Sequence, residues 1–213
     1  DWAKQDCIHL AYGLVLLHEG KMKSREGNVI DADQLIEEVK ELAKQELAKR
    51  NVNVNSVAGK QRALSIALAA IKYYFLKVDC MKDVLFDKKA AIDFEGFTGP
   101  CLLYSYVRAR SIIKKGKINT KQILKQRSTT NQMEKQEKEL LRLLLEFPDV
   151  VKDAATKLKP DILAIYAYKL AQCFNTFYAE LPVLHADKSE RIKRLKLVIA
   201  FTNVMRLCLK LLN

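Results

Sequence analysis

Glycine and proline are scarce in this 213-residue chain, at seven and four residues, which excludes collagen-like repeats and Pro/Gly-rich low-complexity tracts. No apolar run approaches the roughly 18 residues that a membrane-spanning helix needs. Residues 1–30 also lack the basic, apolar and small-residue order of a secretory signal. Cysteine is present but unpatterned: Cys7, Cys80, Cys101, Cys173 and Cys208 stand at least 21 residues apart, with no CxxC and no Cys/His spacing. Neither a zinc site nor a disulfide framework is expected, and the thiols should be reduced and mostly buried in a cytoplasmic protein. Histidine occurs three times, scattered, and nothing local pairs one with a cysteine for nucleophilic chemistry.

Hydrophobic residues make up 49% of the chain and recur at helical period over long stretches. A chain of this length buries roughly 70% of its unfolded surface and needs neither disulfide nor metal to fold. The net charge is +12. Residues 1–107 hold 15 basic and 15 acidic side chains, and residues 108–213 hold 22 and 10, so all of the excess lies in the second half. Such asymmetry points to a polyanionic partner on that half, or else to a well-solvated lysine-rich surface.

Residues 7–17 are apolar and partly β-branched and read as a strand, followed by a turn at Glu19-Gly20 and a basic loop, Lys21-Met22-Lys23-Ser24-Arg25-Glu26-Gly27. From Asp31 the period changes. Asp31 and Gln34 form a loose capping box, and Leu35, Val39, Leu42 and Leu47 share one face of a helix reaching about Arg50. A second helix is expected from about Ala58 to Val78, with Leu64, Leu68, Ile71, Phe75 and Val78 inward. Residues 79–97 read as irregular, anchored by Phe86, Ile92 and Phe94. Thr98-Gly99-Pro100 is a helix start, capped by Thr98, and that helix runs to Gly116. Further helices are expected at about 119–127, 130–146, 149–158, 161–179 and 187–212, punctuated by Pro148, Pro160 and Pro182. The fold is therefore expected to be mainly α, a helical bundle preceded by a short strand and loop.

Three segments carry candidate chemistry. The loop Lys21 to Gly27 can close over a triphosphate and neutralise charge developing on it, although a basic turn can equally be solvated. The segment Phe94 to Arg110 joins a two-glycine loop to a helix whose free N–H groups could attract phosphate. It also carries Tyr104 and Tyr106 at i, i+2 and Arg108 and Arg110 at i, i+2, suited to stacking on bases and binding backbone. Tyr104 and Tyr106 must point to different faces, so at least one is a packing residue. From Arg108 to Lys138, ten basic residues face only Glu134 and Glu137. Arg108, Lys114, Lys115, Lys117, Lys121, Lys125 and Arg127 form a strip able to follow a phosphate backbone. Near the C-terminus, Leu170, Phe174, Phe177 and Tyr178 form a core stripe, with Gln172 and Asn175 off it, toward solvent or a base edge.

The order of these motifs resembles one family. His9-Leu10-Ala11-Tyr12-Gly13-Leu14-Val15, the loop Gly20 to Val29, Phe94-Glu95-Gly96-Phe97-Thr98-Gly99-Pro100 through Arg108-Ala109-Arg110, Leu145-Glu146-Phe147-Pro148, and Ala171 to Tyr178 are similar, in order, to the C-terminal half of arginyl-tRNA synthetases. The resemblance implies a class I aminoacyl-tRNA synthetase, which activates arginine with ATP (with Mg2+) and transfers it to tRNA(Arg). It makes the basic loop similar to the Lys-Met-Ser-Lys-Ser loop of that class and the helical half similar to the anticodon-binding domain. Lys21 and Met22 match the motif. Ser24 and Arg25 match the arginyl variant, with a small polar residue and then Arg, whereas Lys23 and Glu26 depart from it.

By this resemblance Lys21, Lys23 and Arg25, with Met22 and Ser24, serve the ATP phosphates. Arg108, Arg110, Lys114, Lys115, Tyr104, Tyr106, Phe174, Asn175 and Tyr178 serve the tRNA, and no metal ligand is expected. Three divisions follow: residues 1–30, the end of the catalytic domain; 31–97, a connecting helical region; and 98–213, the anticodon-binding bundle. The His-Ile-Gly-His motif and the arginine pocket of the family do not occur in the 213 residues, and the expected extension after Leu212 is absent. The expectation is thus a fragment or degenerate relative, cytoplasmic and monomeric, that binds tRNA without charging it and holds no cofactor tightly by itself. A stand-alone RNA-binding module and a helical protein-interaction domain are the competing readings.

Overall fold

A computed structural model describes residues 8–17, 20–21, 31–126 and 132–212. Of the stretch expected as one strand, only its end is extended and paired, as β1 (Val15–Leu17). It pairs antiparallel with β2 (Gly20–Lys21) and parallel with β3 (Val84–Phe86), in the order β2-β1-β3. A strand persists only while its backbone groups have a ladder partner, and β3 is three residues long. Before β1 the chain is held by single bonds: Gly13 N–H donates to the Cys80 carbonyl at 2.8 Å, and Leu14 N–H to Asp83 Oδ1 at 2.7 Å. A Cβ at Gly13 would lie 2.3 Å from the Lys82 carbonyl oxygen, so this close approach requires glycine.

Helix α1 (Ala32–Ala48) starts at Asp31, but the expected capping box does not form. The Asp31 side chain makes no cap bond, and Gln34 Nε2 instead donates to Glu38 Oε1 at 3.1 Å, four residues along the same face. The expected apolar face is present: Val39 and Leu47 are buried, and Leu35 and Leu42 pack beside them. Helix α2 (Val57–Leu76) is capped by Ser56, whose Oγ accepts from Gly59 N–H. Its buried face is Ala63, Ile66, Ala67, Ala70 and Tyr73, rather than Leu64, Leu68, Ile71, Phe75 and Val78, which are half-buried. The helix is apolar almost all round and meets α1, α4 and α7, so periodicity selects no single face. The small residues mark where neighbouring backbones come closest. Between residues 79 and 97, expected to be irregular, β3 is followed by α3 (Lys88–Ala91), capped by Asp87. Phe86 and Ile92 are buried there and Phe94 is partly so, as their sequence positions suggested.

The remaining helices are α4 (Gly99–Lys115), α5 (Thr120–Lys125), α6 (Lys135–Lys157), α7 (Pro160–Glu180) and α8 (Lys188–Leu211). The Thr98 cap and Pro100 start α4 as expected, and Gly116 closes it. Pro148 does not divide two helices: α6 runs through it. Proline removes one hydrogen bond, but Leu140, Leu143 and Leu144 before it and Phe147, Val150, Val151 and Ala154 after it pack on the same core. Pro148 itself lies on the exposed side, where water can satisfy the freed carbonyl. At the centre, Phe174 stacks on Phe201 with centroids 3.9 Å apart.

All four described cysteines are free thiols. Burial pushes the Cys208 thiol up to about 12 and the Cys173 thiol up to about 11, which keeps both protonated and unreactive at neutral pH. Cys7 lies outside the described residues.

A buried polar network closes the bundle. Glu137 is fully buried and holds Arg194 Nε at 2.9 Å and Lys193 Nζ at 2.8 Å, while Glu137 Oε2 accepts from Glu134 N–H at 2.9 Å. Burial by itself raises this carboxyl, but the hydrogen bonds from Lys193, Arg194 and the Glu134 amide outweigh it and hold the group below the usual carboxylate range. Glu137→Gln should cost about 3–5 kcal/mol at neutral pH, because it leaves two poorly solvated cations short of an acceptor. The folded pKa is depressed, so the stabilisation is complete above the unfolded value of about 4.3 and is lost as pH falls through the folded one. Urea midpoints of wild type and variant should therefore converge on acidification and stay apart from neutral pH upward. Gly99 offers a second test. A Cβ there would lie 2.1 Å from the Ala69 carbonyl oxygen of α2, so Gly99→Ala should lower stability in urea by about 1–3 kcal/mol.

Candidate nucleic-acid interface

Helices α4 and α7 bring four of the candidate residues together. Arg108 Nη1 donates to Asn175 Oδ1 at 2.9 Å, and its guanidinium lies 4.6 Å from the Tyr104 ring centroid and 5.6 Å from that of Tyr178. Asn175 Nδ2 donates in turn to Ser105 Oγ at 3.0 Å, and Ser105 Oγ to the Cys101 carbonyl at 3.0 Å. Both ends of the Asn175 amide are thus engaged inside the protein. It orients Arg108 rather than presenting a free edge, and it leaves the guanidinium's other donors available beside two aromatic faces. Tyr104 and Tyr178 are 45% and 42% exposed, enough to stack on a base.

The cluster opens onto a groove of about 550 Å³ between the C-terminal half of α4 and the connector after α7, with Val107, Lys115, Leu184 and His185 along it. Arg110 and Tyr106 lie on another face of α4. Tyr106 packs against the core, with the Arg110 guanidinium 5.8 Å from its ring centroid. The i, i+2 spacing therefore separates the two Tyr–Arg pairs, as helical geometry requires.

Lys114 and Lys115 end α4 and are exposed. They also complement the negative end of the helix dipole. Among the described residues, Arg110, Lys114, Lys115, Lys117, Lys121 and Lys125 have no acidic side chain within ion-pair distance. By contrast Arg142 is paired with Glu139 and Glu146, Lys157 with Asp153, and Lys159 with Asp79. The excess charge of the second half lies at its two ends: residues 108–127 carry +8 and residues 188–213 carry +6, while the stretch between them is slightly acidic. Arg127 lies outside the described residues.

Two expectations are corrected. Phe174 has no exposed surface; its ring belongs to the Phe201 stack and is closed to any nucleotide. The N-terminus of α4 is likewise unavailable to phosphate: Thr98, Gly99, Pro100 and Cys101 are buried, and Thr98 Oγ1 already accepts from Cys101 N–H. For the basic loop, the backbone of Lys21 is described and pairs with Leu16, whereas Met22, Lys23, Ser24 and Arg25 lie outside the described residues. Among the described residues no group of three or more His, Cys, Asp or Glu could hold a metal ion.

Sequence reasoning missed Ser105 and His185. Ser105 left a signal, a small polar residue three positions before Arg108 and so on the same helical face. His185 left none, because it sits in an irregular connector whose position depends on how α7 and α8 pack.

The chain is similar to known proteins over nearly all of its length. Residues 102–213 match the family described as the DALR anticodon binding domain, and residues 2–88 match the catalytic domain of tRNA synthetases class I (R). The arginine–tRNA ligase of Bacteroides thetaiotaomicron is 38% identical over 218 aligned residues, covering 100% of this chain and 36% of that protein. The arginine–tRNA ligase of Borreliella burgdorferi is 38% identical over 97% of this chain and 35% of its own length. Among solved structures, Thermus thermophilus arginyl-tRNA synthetase superposes with a TM-score of 0.84 at 30% identity, covering 96% of this chain and 34% of that one. The arginyl-tRNA synthetase of Plasmodium falciparum gives 0.77 at 27% identity, with the same coverage of both chains. The chain spans about a third of the length of these relatives. With a class I catalytic-domain segment leading in order into a DALR helical bundle, it belongs to the arginyl-tRNA synthetase family.

Proposed function

We propose that the chain is the tRNA-binding portion of an arginine–tRNA ligase, which joins L-arginine to tRNA(Arg) with ATP, and that alone it binds tRNA without charging it. The observation that carries this reading is the strip of cations on α4 and α5, without acidic partners among the described residues, beside the Arg108–Asn175–Tyr104–Tyr178 cluster and within the residues that match the DALR domain. Phosphate contacts come from Arg110, Lys114 and Lys115. Arg108 and the exposed faces of Tyr104 and Tyr178 meet unstacked bases, Asn175 holds Arg108 in place, and Tyr106 supports Arg110.

Residues 1–30 form the end of the catalytic domain, 31–97 the connecting helices and 98–213 the anticodon-binding bundle. Lys21, Lys23 and Arg25, with Met22 and Ser24, neutralise ATP phosphates in the complete enzyme. ATP with Mg2+ and L-arginine enter through the remainder of the catalytic domain. That remainder also accounts for Ile8, Leu10, Tyr12 and Leu14, which are exposed here beside a parallel strand pair of a kind normally covered on both faces. Free thiols at Cys80, Cys101, Cys173 and Cys208 favour a cytoplasmic setting, and the protein acts there as a monomer. No helix among the described residues is long and apolar enough to cross a membrane.

The isolated chain should bind tRNA(Arg) with an affinity that falls log-linearly with salt, by about 0.7–0.9 log units per decade of salt for each phosphate neutralised. Lys114→Ala should lower that slope by about one unit or less. Arg108→Lys keeps the charge but loses the planar fork, and should weaken binding roughly tenfold with the slope unchanged. Neither arginyl-adenylate nor charged tRNA should form with the chain alone, and turnover would overturn the division of labour. Absence of tRNA binding at low salt would leave only a helical protein-interaction domain.

A further inference from the structure

Arg108 and Tyr104 also wall a second cleft, on the side away from the basic groove. It lies where Arg50, just after α1, the loop carrying Phe94 and Glu95, α4 and α7 meet, and has a volume of about 300 Å³, at the lower end of the roughly 300–1,000 Å³ typical of small-molecule sites. Its chemistry differs from that of the groove. The Arg50 guanidinium, paired with Glu46 Oε2 at 3.1 Å, lies 4.2 Å from the centroid of the Phe94 ring, making a flat surface of guanidinium and ring. Glu95 brings an exposed carboxylate that has no ion-pair partner among the described residues. Gln172 donates from Nε2 to Tyr168 Oη at 3.0 Å, an arrangement that leaves its carbonyl oxygen as an acceptor.

The loop that presents Glu95 is held in place. Glu95 N–H donates to Asp93 Oδ1 at 2.8 Å, Thr98 Oγ1 donates to the Asp93 carbonyl, and Lys77 Nζ donates to the Phe97 carbonyl at 2.9 Å. A Cβ at Gly96 would meet the Asp93 carboxylate at 2.8 Å, so the loop packs closely on the side chain that holds it. Binding therefore has only the Glu95 side chain to order, not the loop that carries it.

Arg50 and Arg108 also line the cleft, so it is not closed to anions, but its one carboxylate favours a group with adjacent N–H donors. Of the four RNA bases, only guanine presents two such donors side by side, N1–H and N2–H, matching the two oxygens of a carboxylate. Uracil would set a carbonyl oxygen against it, and adenine and cytosine present one amino group next to a ring acceptor. We infer that this cleft is a nucleotide subsite for an unpaired guanine, whose N1–H and N2–H bind Glu95, with the Arg108–Tyr104 wall separating it from a neighbouring nucleotide in the groove. The inference rests on the nucleic-acid reading above and adds a base preference to it.

The test uses the chain as it stands and a set of RNA hairpins in which each loop position in turn is guanine, inosine or uracil. At one position guanine should bind on the order of tenfold more tightly than uracil. Inosine, which lacks the N2 amino group, should fall between them. Glu95→Gln should abolish the guanine-to-uracil ratio while keeping the salt slope and the melting temperature, since Glu95 is exposed. Lys115→Ala should weaken all hairpins alike and keep the ratio. Equal binding of guanine and uracil at every position, or a ratio that survives Glu95→Gln, overturns the subsite while salt-dependent binding preserves the tRNA-binding reading. Failure of every hairpin to bind at low salt overturns both.

Discussion

The stack of Phe174 on Phe201 sets how α7 lies in the bundle, and the candidate interface follows from it. With the Phe174 ring locked at the centre, the next residue, Asn175, is carried to the α4 side, where it meets both Arg108 and Ser105. Four residues after Phe174, Tyr178 lies on the same side of α7, its ring nearly parallel to that of Phe174 and within reach of Arg108. A residue with no exposed surface thus positions the groups that are exposed. The same helix is tied to the preceding layer by Tyr73, whose hydroxyl donates to the Ala164 carbonyl at 2.7 Å. One buried element therefore holds the charged bundle in a defined relation to the segment that carries the sheet and the basic loop.

Charge is distributed with equal economy. Between α6 and α8, Lys193 and Arg194 are engaged by Glu137, and the network also holds the Pro182 carbonyl through Arg194 Nη1 at 2.8 Å. On α4 and α5 the cations project without such partners among the described residues. A row of such cations along two consecutive helices makes a positive field, which is what a long polyanion responds to. Aromatic faces and a planar guanidinium at one edge of that field add contacts that depend on an unstacked base rather than on backbone charge.

Several elements are legible in the sequence. Thr98-Gly99-Pro100 starts α4 as its chemistry dictates, the α1 face of Val39 and Leu47 follows from spacing, and the opposition of Tyr104 and Tyr106 follows from an i, i+2 interval. Other elements were misread for identifiable reasons. Pro148 signals a break in isolation, yet a shared apolar face on both sides keeps α6 continuous. Asp31 and Gln34 have the spacing of a capping box, but Glu38 competes successfully for the glutamine amide. In α2, alanines rather than leucines face the closest neighbours, because backbone proximity favours small side chains where three helices converge.

The sequence by itself determined the family, the helical character, the location of the excess charge and the residues from which an interface could be built, because these depend on composition, order and local spacing. The tertiary structure alone decided which of those residues meet. Arg108 and Asn175 are 67 positions apart, and their contact exists only because α4 and α7 pack face to face. Phe174 and Asn175 are adjacent in the chain, yet one is sealed in the core and the other serves the interface. The cleft at Glu95 likewise draws Arg50 and Gln172 from distant helices. Local pattern dictates which faces a helix has, whereas burial and long-range packing dictate what each face touches.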